Sequence, residues 1–377
     1  MSASDSNQGG STQAQLPAEN SHQKIPIYII TGFLGSGKTT LLNRLLQQPG
    51  MTQTAVIVNE VGEIGIDHLL LESTEDDMLL LAGGCLCCAV RSDLITTLQN
   101  LFEKSQQQQD YRFQRVLIET SGLADPAPIL RTLINDDFIV AHYRLEQVIT
   151  TVDAIYGMQQ LDEHDESVKQ AALANHLLLT KTDHPHSCEE VISELMQRLQ
   201  QLNPAAYCYD LKQGLPDVKQ LFAGNTYDPQ TRQLDIQKWL QTEIYAAPFT
   251  AHHHQDKQEQ GIHDQYIHNF CLKYTQPLPW KVLEHWLQQL TRLRGKDLLR
   301  IKGIAWTQET NAPVLIQGVQ HILQSPVQLK SWPDSQPMTQ IVFITRNLPE
   351  DLIRKNLEAL LHSPTPAERA KAAMLLL

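Results

Sequence analysis

The chain has 377 residues, a formal net charge of −12 with neutral His, and a composition that is 42% hydrophobic and 19% charged. That length fits two domains of about 100 to 200 residues each, no apolar run approaches the ~18 residues of a membrane span, and the acidic balance repels phosphate backbones and anionic surfaces, so neither nucleic acid nor membrane is expected as a partner. The 6 cysteines are too sparse for a disulfide scaffold, and the cluster Cys85, Cys87 and Cys88 points to metal or redox chemistry in a reducing compartment.

Residues 1–24 are rich in Ser, Gln, Asn and Gly, with neither a basic n-region nor an apolar h-region. They read as a disordered tail rather than a signal peptide, which makes the cytoplasm the expected location. From residue 25 to about 225, short β-rich runs alternate with helical patterns: Ile27–Thr31, Ala55–Asn59, Met78–Leu81, Arg115–Glu119, Gln147–Val152 and His176–Thr180. Continuous apolar runs of this length fit strands buried on both faces, so this region is expected to be an α/β domain with a mostly parallel sheet.

The first strand leads into Gly32-Phe33-Leu34-Gly35-Ser36-Gly37-Lys38-Thr39, a Walker A pattern, and the helical run Leu41–Leu46 follows. Gly32, Gly35 and Gly37 let the backbone turn its N–H groups toward a phosphate. Lys38 can reach the β and γ phosphates, and Thr39 can offer its hydroxyl to Mg²⁺. The same residues could form a Gly-rich turn bearing a surface Lys, but a strand before and a helix after argue for the phosphate loop.

The next run, Asn59-Glu60-Val61-Gly62-Glu63, is switch-like and precedes Gly83-Gly84-Cys85-Leu86-Cys87-Cys88. Thiolates at i, i+2 and i+3 can converge on one soft or borderline cation while leaving a coordination position open, as a metal that must be handed on requires. Buried small side chains and a redox thiol pair are the alternatives. Farther on, the strand Arg115–Glu119 runs into Thr120-Ser121-Gly122, where Glu119 can hold Mg²⁺ through water and the Gly122 amide can sense a γ-phosphate. An ordinary strand-end acid before a helix capped by Ser121 or Asp125 is the plainer alternative.

The strand His176–Thr180 ends in Thr180-Lys181-Thr182-Asp183. A carboxylate such as Asp183 accepts from guanine N1–H and its exocyclic amine, whereas adenine offers no matching donors, and the Lys181 stem can lie along the base. GTP is therefore expected over ATP. Thr180 stands where the usual GTPase pattern has Asn, which leaves the loop-bracing role of that position open. His176, alone in an apolar strand, reads as a core or interface residue.

Residues 226–262 read as a linker or exposed loop carrying His252, His253 and His254. This run, with His263 and His268, is either a solvated polar segment or a transient zinc store. Residues 263–362 then suggest a small α+β domain. Its expected strands are Tyr266–Tyr274, Leu298–Trp306, Val314–Val319 and Gln340–Thr345. Its expected helices are Trp280–Leu293, with Val282, Leu283, Trp286, Leu287 and Leu290 on one side, and Pro349–Leu361. Residues 363–377 form a tail.

These segments together resemble the CobW-type metallochaperone GTPases of the SIMIBI class. The likeness rests on Gly32–Thr40, Asn59–Asp67 (NEVGEIGID), Gly84–Cys88 (GCLCC), Glu119–Pro126 (ETSGLADP) and Thr180–Asp183 in the family's order, and on Leu298–Gly303 and Leu315–Val319 in the C-terminal part. The resemblance implies a GTPase with Lys38, Thr39 and Glu119 as catalytic residues and Thr40 added to the nucleotide-binding loop. It implies GTP and Mg²⁺ as ligands. It also implies a cargo site for Zn²⁺ (or Co²⁺) at Cys85, Cys87 and Cys88, with Glu60 and Glu63 as sensors or extra ligands, and delivery to a client metalloprotein. No Gln stands beside Gly122 to orient water, so slow intrinsic hydrolysis is expected, raised by a partner or by assembly into a homodimer or higher oligomer. A metal-storage or sensing protein and a P-loop small-molecule kinase are the competing readings. The Asp183 loop and the thiol cluster weigh against the kinase.

Overall fold

The computed structural model describes residues 24–61, 78–83, 90–107, 112–222, 267–310, 312–329, 332 and 337–362. The N-terminal part is built on a seven-stranded parallel sheet in the order β3-β2-β4-β1-β5-β6-β7. Its strands are β1 (Ile25–Gly32), β2 (Thr54–Val61), β3 (Met78–Gly83), β4 (Arg115–Thr120), β5 (Tyr143–Asp153), β6 (His176–Thr180) and β7 (Tyr207–Asp210). Its helices are α1 (Lys38–Leu46), α2 (Val90–Gln107), α3 (Ala127–Asn135), α4 (Asp137–His142), α5 (Gly157–Glu163), α6 (Asp165–Leu173), α7 (Glu189–Leu202) and α8 (Val218–Leu221).

Both faces of this sheet are covered, which explains the unbroken apolar runs. In β1, Ile27 and Ile29 pack with Leu94 and Leu98 of α2 and Ile129 and Leu133 of α3. Their neighbours Tyr28 and Ile30 face Leu41, Leu42 and Leu45 of α1 and Leu221 of α8. A strand sandwiched this way has no solvent side on which to place polar residues. The order puts β1 between β4 and β5, so the loop after β1 opens at the sheet's centre beside the C-terminal ends of its neighbours, where open α/β sheets bind ligands.

The C-terminal part is an antiparallel sheet in the order β11-β10-β9-β13-β8, with β12 pairing β10. It comprises β8 (Ile267–Tyr274), β9 (Leu298–Ala305), β10 (Val314–Val319), β11 (Ile322–Leu323), β12 (Val327–Gln328) and β13 (Thr339–Arg346). Helices α9 (Trp280–Arg294) and α10 (Glu350–Leu361) cover one face. Leu283, Trp286, Leu287 and Leu290 of α9 enter that core with Ile353, Leu357 and Leu360 of α10, while Val282 packs at its margin. The architecture is thus an α/β P-loop fold followed by a smaller α+β unit, as expected. The tails and the His252–His254 segment lie outside the described residues.

The two parts touch through polar contacts and small apolar ones, with Ile267 and Val319 packed against clusters of the N-terminal part. Arg300 donates to the carbonyls of Leu173 and Ala174 at 2.9 and 2.7 Å. Arg346 pairs with Asp165, and Asn269 donates to the Leu202 carbonyl at 3.2 Å. Ala172 packs with Leu299 and Ile344.

Candidate nucleotide and metal site

The phosphate loop takes its shape from glycine. Gly32 has φ 143°, and a Cβ there would lie 2.3 Å from Thr151 Oγ1 and 2.4 Å from the Thr151 carbonyl, so no other residue fits against β5. Gly37, at φ 86°, then opens α1 from the left-handed region. Side chains from distant strands hold the turn. Ser36 Oγ lies 2.6 Å from Thr151 Oγ1, and the Thr180 hydroxyl donates to the Ser36 carbonyl at 2.8 Å. The bracing left open for Thr180 is therefore present, supplied by a hydroxyl where the usual pattern has an amide.

Lys38 is buried, and its Nζ donates to the Phe33 carbonyl at 3.2 Å, which lays the ammonium across the loop. Thr39 Oγ1 donates to Glu119 Oε1 at 2.7 Å, joining the first turn of α1 to the end of β4. A hydroxyl and a carboxylate side by side at a phosphate cradle form the hard oxygen set that suits Mg²⁺. Gly122, beyond Glu119, touches the loop from the other side: a Cβ there would come within 2.7 Å of the Leu34 amide nitrogen. The backbones of the two loops pack directly on each other.

In the loop after β6, Lys181 sits at φ 57°, and its Nζ meets Asp153 Oδ2 at 2.6 Å. Asp153 also accepts from the amide of Ile155 at 2.8 Å, so one buried carboxylate fixes both the turn after β5 and the Lys181 side chain. Sequence reading passed over Asp153; its trace was a carboxylate closing the apolar run of β5. Behind the loop, the Ser187 hydroxyl donates to the Lys181 carbonyl at 2.9 Å, and the Thr182 hydroxyl accepts from the Lys212 amide at 3.1 Å. Asp183 remains exposed, with its carboxylate available to a ligand.

Cys85, Cys87, Cys88 and Glu63 lie outside the described residues, and of Glu60 only the strand backbone is described. The parallel register pairs Glu60 with Ala82 and Val61 with Gly83. The described end of β3 therefore stops two residues before Cys85, alongside the Glu60-Val61 end of β2. Among the described residues no group of three or more His, Cys, Asp or Glu is placed to hold a metal ion.

Residues 26–210 match the family model described as the CobW/HypB/UreG nucleotide-binding domain, and residues 267–361 match the cobalamin synthesis protein cobW C-terminal domain. The chain is 30% identical over 330 residues to the zinc chaperone YjiA of Escherichia coli strain K12, covering 88% of this chain and 96% of that protein. It is 26% identical over 390 residues to the zinc-regulated GTPase metalloprotein activator 1 of Saccharomyces cerevisiae, covering 92% and 87% respectively. Among solved structures, the Zn(II)-bound YjiA GTPase from E. coli aligns with a TM-score of 0.64 at 26% identity, over 90% of this chain and 99% of that one. With the phosphate cradle, the Thr39–Glu119 pair and both family domains in one chain, this protein belongs to the CobW family of P-loop nucleotide-binding proteins.

Proposed function

We propose that this chain is a GTP-hydrolysing metallochaperone that carries Zn²⁺ on Cys85, Cys87 and Cys88, with Glu60 and Glu63 alongside, and delivers it to a client metalloprotein. The observation that carries the GTPase reading is the Thr39–Glu119 hydrogen bond of 2.7 Å at the mouth of the phosphate loop. It brings together the two oxygen donors that phosphoryl chemistry places around Mg²⁺. Bound there, Mg²⁺ supplies positive charge against the phosphate oxygens. The chain's own residues do the rest. Lys38 neutralises the β and γ phosphates, the loop amides cradle them, the Gly122 amide faces the γ-phosphate, and Asp183 with Lys181 selects guanine.

Zinc is favoured as cargo by three thiolates at a site with room for a further ligand, and relatives along nearly the full chain carry zinc in their names. Coupling between the two sites is mechanical. The strand end at Glu60 and the β3 end before Cys85 are hydrogen-bonded neighbours, so a γ-phosphate that orders the switch also shifts the thiolates. We place the protein in the cytoplasm, where thiols stay reduced, and among the described residues no helix is long and apolar enough to cross a membrane.

The test is a zinc competition titration of parent and Cys85→Ser/Cys87→Ser/Cys88→Ser protein with GDP, with a non-hydrolysable GTP analogue, and without nucleotide. A tenfold change in zinc affinity between nucleotide states, about 1.4 kcal/mol, is expected in the parent and must appear reciprocally in GTP affinity. The triple variant should lose it while keeping metal-free GTP binding. Identical parent affinities in all three states would remove the chaperone mechanism.

A further inference from the structure

The sequence offers no Gln beside Gly122, yet the fold brings one there from 48 residues away. Gln170 of α6 is 1% exposed, and its Nε2 donates to the carbonyls of Gly122 and Ala124, both at 3.1 Å. With two acceptors on that side, only the NH₂ end of the amide can face them. Its Oε1 is left buried with no hydrogen-bond partner among the described residues. An orphaned buried carbonyl is costly, a strain that native proteins keep where geometry serves a purpose.

The same helix grips the loop's far end. Lys169 Nζ meets Asp125 Oδ2 at 2.9 Å, and Asp125 Oδ1 accepts from the Ala127 amide at 2.9 Å. The Gln170 carbonyl in turn accepts from the Thr150 hydroxyl at 2.9 Å, which ties this turn of α6 to β5. Just before the helix, His164 stacks on Phe33 of the phosphate loop with ring centroids 4.5 Å apart. The helix is then held from the C-terminal domain by Arg346 at Asp165 and by Arg300 at the Leu173 and Ala174 carbonyls.

We propose that Gln170 is a positioning residue for GTP hydrolysis, fixing the Gly122–Ala124 loop against the γ-phosphate from a helix anchored to the C-terminal domain. Its amide points at backbone, so it acts through the loop and touches no reacting atom. The inference rests on the GTPase reading above. Nucleotide affinity comes mainly from the phosphate loop and the Asp183 turn, whereas the Gly122 loop matters when the γ-phosphate reacts. Disturbing Gln170 should therefore lower kcat and spare GDP binding.

The experiment compares full-length parent, Gln170→Glu, Lys169→Met and Lys38→Ala in single-turnover GTP hydrolysis and in titration with a fluorescent GDP analogue. Gln170→Glu sets a carboxylate against two carbonyls; a fall in kcat of tenfold or more with GDP affinity within twofold is expected. Lys169→Met, a milder change at a partly exposed side chain that grips the same loop through Asp125, should show the same split with a two- to fivefold fall. If Gln170→Glu does not fold, Gln170→Met, which deletes the donor without adding charge, decides the matter by the same split. Parental kcat in the variants, or equal losses of kcat and GDP affinity, would overturn the role of Gln170 alone. A parent no faster than Lys38→Ala would overturn the GTPase reading, and this inference with it.

Discussion

Thr180 stands where the usual GTPase pattern has Asn, and its hydroxyl still reaches the phosphate loop, donating to the Ser36 carbonyl at 2.8 Å inside the protein. Thr180→Val keeps the shape and deletes the donor, so GDP affinity should fall about fivefold, the effect of roughly 1 kcal/mol for one buried neutral hydrogen bond, as read by calorimetric titration. At Asp183 the expected effect is on selectivity. Asp183→Asn presents a donor where guanine's own donors need an acceptor, so preference should move from guanosine toward xanthosine nucleotides in competition binding, and parental GTP selectivity would refute the base assignment. Lys38, Thr39 and Glu119, which the fold brings to one loop, were legible because each belongs to a short run with a recognisable spacing. Thr151, Asp153 and Gln170 were not. Each acts on a loop far along the chain, and nothing in its immediate sequence records that partner.

Among the elements, β6 shows how burial rather than composition sets behaviour. His176, 3% exposed, is stacked against Tyr207 and Tyr209 with centroids 5.5 and 5.8 Å away, and burial together with the nearby cations Arg300 and Lys302 lowers its pKa to about 4. Above pH 6.5 the ring is neutral in both folded and unfolded chains. As the pH falls toward 4, the unfolded chain takes up a proton that the native state refuses, and stability should drop by up to ~3 kcal/mol. His176→Phe keeps the stack and should flatten this part of the pH dependence in urea unfolding between pH 7 and pH 4.5. In the C-terminal domain, Trp286 Nε1 of α9 donates to Asn356 Oδ1 of α10 at 2.7 Å, both residues buried, so Asn356→Leu strands an indole N–H and should cost about 1–3 kcal/mol in the same assay. The strands that sequence reading placed best, β4, β6 and β10, are short apolar runs closed by polar residues or glycine. It clipped β5, whose first turn of strand carries Arg144 and Glu146 as an ion pair at 2.9 Å and so lacks an apolar signature. It missed β7 altogether, four residues at the sheet's edge with Tyr207 exposed, because an edge strand has only one neighbour to please and little hydrophobic pattern to show.

For the whole molecule, the contact between the two parts separates two kinds of polar interaction. Arg300 caps backbone carbonyls at the end of α6, whereas Arg346 and Asp165 form a partly exposed ion pair. Arg300→Ala should destabilise by about 1–3 kcal/mol because it strands the Leu173 carbonyl at a helix end, whereas the Ala174 carbonyl keeps the Asn203 amide as a donor at 2.9 Å. Arg346→Ala should cost only about 0–1 kcal/mol, since exposed ion pairs contribute little. A larger effect at Arg346 than at Arg300 in denaturant titration would reverse this ranking. The sheet order has a further outcome, one for the growing chain. β1 has no partner close in sequence: Ile27 pairs with Val116 on one side and with Leu145 on the other. The hydroxyls that brace Ser36 arrive 115 and 144 residues later. A ribosome must therefore release residues through Thr180 before the phosphate loop, written among the first forty, can close, and loops of that length are slow to form. During synthesis the nascent N-terminal half exposes apolar strands that GTP has no pocket to rescue. Nucleotide can reward this fold only after most of it has been made, so early aggregation is a hazard for chaperones to meet rather than for ligand.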